Sequence, residues 1–282
     1  MPEVRRTAFE FEPRPGEVLR GDLWTPQPLG DTEAGRAIVV CHGFKGFKDW
    51  GFFPHAARHV AVRLGCPVVT FNFTGSGVGA DFESFTEREA FARNTFSKEL
   101  EDLTAVLAGL EGGELGDVTF EPVDRLGVLG HSRGGVAAIL AGELPPVRAV
   151  VTWAAIASVE RYASMFVGLG EDEPVLVRNA RTGDVLPLHR DIVEDMRAHP
   201  DRFDLAASLG RSRIPLLVVH GTGDTSVPPD DGRRLVAASP DARLALIEGA
   251  GHTFEAGHPF EGATPELERA LELTVQHFDT HL

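Results

Sequence analysis

The sequence predicts an α/β fold: a doubly wound, mostly parallel sheet with a small inserted cap. Three observations carry this. Short apolar runs recur along the 282 residues. They are continuous rather than alternating, as expected for strands buried on both faces of a parallel sheet. Segments of helical spacing separate them, which gives right-handed crossovers.

Taken in order, residues 4–11 and 17–24 read as an antiparallel hairpin at the sheet edge, joined by a turn over 13–16. Residues 25–35, with Pro and Gly, read as a surface loop. The core strands fall at 37–41, 67–73, 125–129, 149–153, 214–220 and 243–247. Helical spacing occupies 52–64, 87–110, 135–143, 230–238 and 264–281, with Asp230 and Thr264 as expected N-caps and Pro265 in a first turn. Residues 157–209 run too long for an ordinary strand-to-helix connection. They carry a turn signal, Arg181-Thr182-Gly183-Asp184, between apolar segments 175–177 and 185–188, then a helix over 190–198. This stretch is expected to be the cap on a single domain covering 1–282.

Composition narrows the function classes. A formal net charge of −15 argues against a nucleic-acid partner, because phosphate binding needs a positive field. No run approaches the ~18 apolar residues of a membrane span, and the N-terminus lacks an apolar signal core, so a cytoplasmic protein with no membrane association is expected. Cys41 and Cys66 lie beside apolar runs without metal or redox spacing, and read as buried thiols. His55 and His59 stand one helical turn apart without the acid of a metalloprotease motif, so they read as solvated; no metal and no cofactor is expected. Residues 73–79 lack dinucleotide-loop spacing and read as a mobile loop near the active site.

The chemistry concentrates at strand ends. Gly130-His131-Ser132-Arg133-Gly134 follows one strand and precedes a helix, the context in which a strained turn lifts a serine hydroxyl above a sheet. A serine needs a base, and the base an orienting acid. Asp224 follows the strand over 214–220, and His252 follows the strand over 243–247 in Glu248-Gly249-Ala250-Gly251-His252. The chain order Ser132, Asp224, His252 fits a triad; Asp230 and Asp231 compete locally with Asp224 but sit where a helix starts. Acyl transfer also needs oxyanion donors, and the backbone N–H groups of Phe44 and Arg133 are the expected pair. His42 is expected to brace its loop. Phe44, Phe47, Trp50, Trp153, Tyr162, Met165 and Phe166 are candidates for the pocket wall, about half of them facing it. Lys45, Lys48 and Arg178 are alternative partners for a substrate carboxylate.

The set His-Gly-Phe-Lys-Gly at 42–46, Gly-His-Ser-Arg-Gly-Gly at 130–135, Gly-Thr-Gly-Asp at 221–224 and Gly-Ala-Gly-His at 249–252 resembles the α/β-hydrolase superfamily. It is most similar to bacterial carboxylesterases and cinnamoyl- or feruloyl-esterase-like members of the dienelactone-hydrolase-related group. Dienelactone hydrolases use a cysteine nucleophile, and halide- or epoxide-opening members an aspartate; Ser132 argues against both chemistries. The resemblance implies a serine esterase acting on a small-molecule ester of a small to medium acyl group, aromatic ones included. A peptidase or thioesterase with the same triad, and a binding protein without turnover, remain the alternatives.

Overall fold

The computed structural model describes residues 3–27, 35–81, 84–179 and 183–282. In chain order the elements are β1 (Glu3–Arg14), β2 (Glu17–Gln27), β3 (Arg36–Cys41), α1 (Phe53–Leu64), β4 (Val68–Asn72), α2 (Arg88–Ala92) and α3 (Phe96–Gly112). Next come β5 (Glu114–Leu115), β6 (Val118–Thr119), β7 (Arg125–His131), α4 (Gly134–Ala141), β8 (Val147–Trp153), α5 (Glu160–Ser164), β9 (Val175–Arg178) and β10 (Val185–Leu188). The chain closes with α6 (Asp191–Ala198), α7 (Leu205–Ser212), β11 (Leu216–Gly221), α8 (Pro229–Ala237), β12 (Ala242–Ile247) and α9 (Pro265–His281).

Eight strands form the central sheet in the order β1-β2-β4-β3-β7-β8-β11-β12. The pairs β1–β2 and β2–β4 are antiparallel, and every later pair is parallel. This is the α/β-hydrolase arrangement. Alternation along β3 explains the two layers: Ala37, Val39 and Cys41 face a core shared with α3 and α4, while Ile38 and Val40 face one shared with α1 and α9. Each fully buried Leu, Ile or Phe contributes roughly 1.5–3 kcal/mol, so the sheet is a firm platform for strained loops at its ends. Cys41 and Cys66 are buried and form no disulfide.

Several expectations need correction. The helix expected over 87–110 is two, because Thr95 takes an extended conformation and its hydroxyl accepts the Lys98 N–H, capping α3 afresh. Asp230 is no N-cap, since Pro228 holds that place and Asp230 lies inside α8. Thr264 does cap α9, with Pro265 in the first turn. The strand β12 is not buried on both faces; it closes the sheet as an edge, and Leu246 is 41% exposed. The stretch 73–79, expected as a loop near the active site, is buried: a Cβ at Gly75 would strike the Asn94 side chain, and one at Gly77 the Phe91 side chain. His55 and His59 are half-buried, the former packed on Phe260, and no group of three metal-ligating side chains exists among the described residues. Most of the loop expected over 25–35, and Arg181 and Thr182 of the expected turn, lie outside the described residues. No helix among the described residues is long and apolar enough to cross a membrane.

Candidate active site

The turn between β7 and α4 holds Ser132 at φ 55°, a left-handed conformation that an L-residue enters at a cost of roughly 1–3 kcal/mol. Three backbone bonds offset it: Ser132 N–H to the Trp153 carbonyl at 2.8 Å, Gly135 N–H to Ser132 at 3.1 Å, and Val136 N–H to Arg133 at 2.9 Å. Glycine is required on both sides. A Cβ at Gly130 would come within 2.5 Å of the Gly134 carbonyl oxygen, and one at Gly134 within 2.4 Å of the His42 carbonyl oxygen. Among the described residues, the other non-glycine positive φ values include Lys45 after β3, Ala154 after β8, and Phe254 and Glu255 after β12. Strain therefore gathers at the carboxyl ends of the parallel strands, where ligands bind in open α/β sheets.

Three distant residues meet there. His252 Nε2 lies 3.0 Å from Ser132 Oγ, and His252 Nδ1 lies 2.8 Å from Asp224 Oδ2. The other Asp224 oxygen accepts the N–H groups of Ser226 (2.8 Å) and Val227 (2.9 Å). Burial opposes ionisation of Asp224, but hydrogen bonds from His220 and His252 and the Val227 N–H overcome it and hold the carboxyl far below the usual carboxylate range. Asp224 is thus an anion that fixes the imidazole with Nδ1–H toward it and Nε2 toward the hydroxyl. The competitors are placed elsewhere: Asp231 accepts the Ala157 N–H at 3.1 Å, and Asp230 pairs with Arg233 at the surface.

Two further histidines brace the loops. His131 Nε2–H donates to the His252 carbonyl at 3.0 Å, and its ring lies 4.9 Å from the His252 ring. Burial, reinforced by the neighbouring His252, pushes His131 down to about 3, so it stays neutral. His42 accepts the Phe73 N–H at Nε2 (3.2 Å) and donates from Nδ1 to the Gly43 carbonyl (2.9 Å); burial lowers it to about 4. That loop runs close against the serine, since a Cβ at Gly43 would sit 2.9 Å from Ser132 Cβ. Phe44 lines the same crevice as Ser132 and Arg133 follows Ser132 in the chain, and no turn or loop hydrogen bond engages the backbone N–H of either among the described residues. The Arg133 side chain turns inward, pairs with Glu99 at 2.9 Å and stacks among Phe44, Phe96 and Tyr162.

A crevice of about 320 Å³ opens over Ser132 and His252. Its apolar wall is Phe44, Trp50 and Phe53, and its polar rim Lys45, Asn179 and Thr253. Of the aromatic and Met candidates, Phe44 and Trp50 reach it and the others do not. Phe47 packs behind with Val78, Phe85, Phe91 and Leu186. Trp153 is fully buried below, its indole N–H on Thr274. Tyr162 and Phe166 are buried among the side chains on the α3 and α4 side of the sheet, and Met165 is 36% exposed. Phe53, Asn179, Thr253 and the His220 contact to Asp224 were not anticipated. Phe53 and Thr253 adjoin motif loops, which was a usable signal; nothing marks Asn179.

The profile described as the alpha/beta hydrolase family matches residues 38–264. The chain is 24% identical over 254 residues to a 2-hydroxy-6-oxononadienedioate/2-hydroxy-6-oxononatrienedioate hydrolase of Cupriavidus pinatubonensis, covering 83% of this chain and 87% of that protein. A stretch of 75 residues is 47% identical to the polyketide synthase ThaQ of Burkholderia thailandensis; this is 27% of the chain and only 4% of the synthase. Est1E from Butyrivibrio proteoclasticus has a similar structure, with a TM-score of 0.67 at 19% identity over 96% of this chain and 98% of that one. It has also been solved with ferulic acid bound. At that identity the likeness concerns the fold.

Proposed function

The chain belongs to the alpha/beta hydrolase family, and from that premise we propose that it is a serine esterase whose nucleophile, base and acid are Ser132, His252 and Asp224. The observation that carries this reading is the continuous hydrogen-bonded path from the Asp224 carboxylate through both His252 nitrogens to the Ser132 hydroxyl. His252 Nε2 takes the hydroxyl proton as Oγ attacks an ester carbonyl, and the Asp224 anion stabilises the imidazolium. The Phe44 and Arg133 N–H groups meet the oxyanion. Collapse of the tetrahedral adduct expels the alcohol with the proton from His252. Water then attacks the acyl-enzyme by the same route and releases the acid.

The crevice volume suits a small to medium ligand, and the Phe44, Trp50 and Phe53 wall favours an apolar or aromatic acyl group. The ferulic acid complex of Est1E is in keeping with that class. The test is hydrolysis of p-nitrophenyl esters by wild type and Ser132→Ala. The expected result is a loss of about 10⁴-fold or more in kcat with the fold retained by circular dichroism. Equal turnover by both proteins refutes the assignment. Aminoacyl anilides and thioesters run alongside place the leaving-group preference.

A further inference from the structure

Lysine is scarce in this chain, at positions 45, 48 and 98 only. Two of the three are neutralised: Lys48 pairs with Asp22 and Asp49, and Lys98 with Glu17. Lys45 has no carboxylate partner among the described residues; its amine donates to the Arg178 carbonyl oxygen at 3.1 Å, spanning from the loop after β3 to the end of β9. It lines the same crevice as Ser132 and His252, and no acidic side chain lines that crevice among the described residues. Burial lowers its basicity. Its backbone stands at φ 60°, where Gly or Asn costs less, so a lysine is held there against its own conformational preference.

Building on the ester-hydrolase reading, we propose that the crevice selects esters carrying a carboxylate remote from the scissile bond, recognised by the Lys45 ammonium. A net charge of −15 repels anions at long range. A cation in a crevice with no acidic side chain among its described lining residues counters that repulsion locally. The ammonium needs only to exchange a neutral carbonyl acceptor for a charged one, a stronger hydrogen bond. The aromatic wall meets the apolar part of the substrate and Lys45 its charged end.

The experiment compares kcat/KM for two matched pairs. In the acid-side pair, p-nitrophenyl hydrogen glutarate is set against p-nitrophenyl hexanoate; in the alcohol-side pair, 4-carboxyphenyl butyrate is set against phenyl butyrate. The readout is the anionic-to-neutral ratio in wild type, Lys45→Arg, Lys45→Met and Lys45→Glu, which cancels any common effect of disturbing the loop. Expected is a ratio that falls about 10-fold in Lys45→Met, falls further in Lys45→Glu, is largely kept in Lys45→Arg, and weakens with added salt in wild type. The pair in which it falls tells which half of the ester carries the charge. Ratios unchanged within about two-fold in both pairs overturn the proposal. Affinity of Ser132→Ala for the same esters, with and without Lys45→Met, reads the anion preference without turnover. Selective binding by Ser132→Ala from a wild type that hydrolyses none of the esters sinks the esterase reading alone; hydrolysis without a Lys45-dependent preference sinks this inference alone.

Discussion

Asp224 gives one carboxylate oxygen to two backbone N–H groups and the other to His252, so both its ionisation and its orientation are fixed before substrate arrives. Asp224→Asn removes the anion and, through the amide, favours the wrong imidazole tautomer. We expect kcat/KM to fall by about 10³–10⁴-fold. Steady-state kinetics on a p-nitrophenyl ester check this, and a loss under ten-fold contradicts the orienting role. The meeting of Ser132, Asp224 and His252 was legible from sequence because each follows its own strand in a Gly-rich turn. The pocket wall was much less legible. Trp153 lies on a strand and points under the sheet, and Tyr162 packs on the Arg133 guanidinium. An aromatic residue near a motif reports apolar surroundings, and core and crevice are equally apolar.

At the scale of elements, α9 holds the loop that carries His252. Thr264 accepts the Leu267 N–H as N-cap and donates its hydroxyl to the Phe254 carbonyl at 2.6 Å, two residues beyond His252. Thr264→Ala loses both bonds. Stability should fall by about 1–2 kcal/mol, measured by urea unfolding. Turnover should fall alongside, whereas Thr264→Ser keeps both; a Thr264→Ala protein with unchanged stability contradicts the link. The start of α9 could be read in the sequence because Thr-Pro is a strong capping signal. The break between α2 and α3 could not, because apolar spacing runs on through Asn94 while its side chain turns to Glu99. Local polar bonding there outweighs periodicity.

Across the whole molecule, three histidines are buried neutral: His131 near 3, and His42 and His277 near 4. In the unfolded chain each titrates near the usual ~6.5, so below that pH the unfolded state binds more protons and stability is lost as pH falls. Asp102 works the other way: burial, against Arg14 and Thr74, raises it to about 6, so its protonated form favours the fold below that pH. Each such group shifts stability by about 1.4 kcal/mol per pH unit, so the three histidines with Asp102 offsetting one contribute a loss of about 2–3 kcal/mol per unit between pH 6 and 5; Glu99, raised by burial, acts with Asp102, and His55 and His59, lowered by burial, act with the three histidines. Urea unfolding at pH 7, 6 and 5 tests this; equal stability at the three values contradicts it. The sheet order was legible because continuous apolar runs separated by helices allow few arrangements. The course of the chain between β8 and β11 was less so: its segments were visible, but contacts such as His189 N–H to the Ala92 carbonyl join residues far apart in sequence. Ester hydrolysis in this crevice depends on Ser132 being a nucleophile activated by His252. Peptide mapping after fluorophosphonate treatment tests that most directly. The adduct is predicted on the peptide containing Ser132 in wild type and is expected to be lost in His252→Ala. Labelling on another serine, or labelling of Ser132 that persists at the same rate without His252, contradicts it.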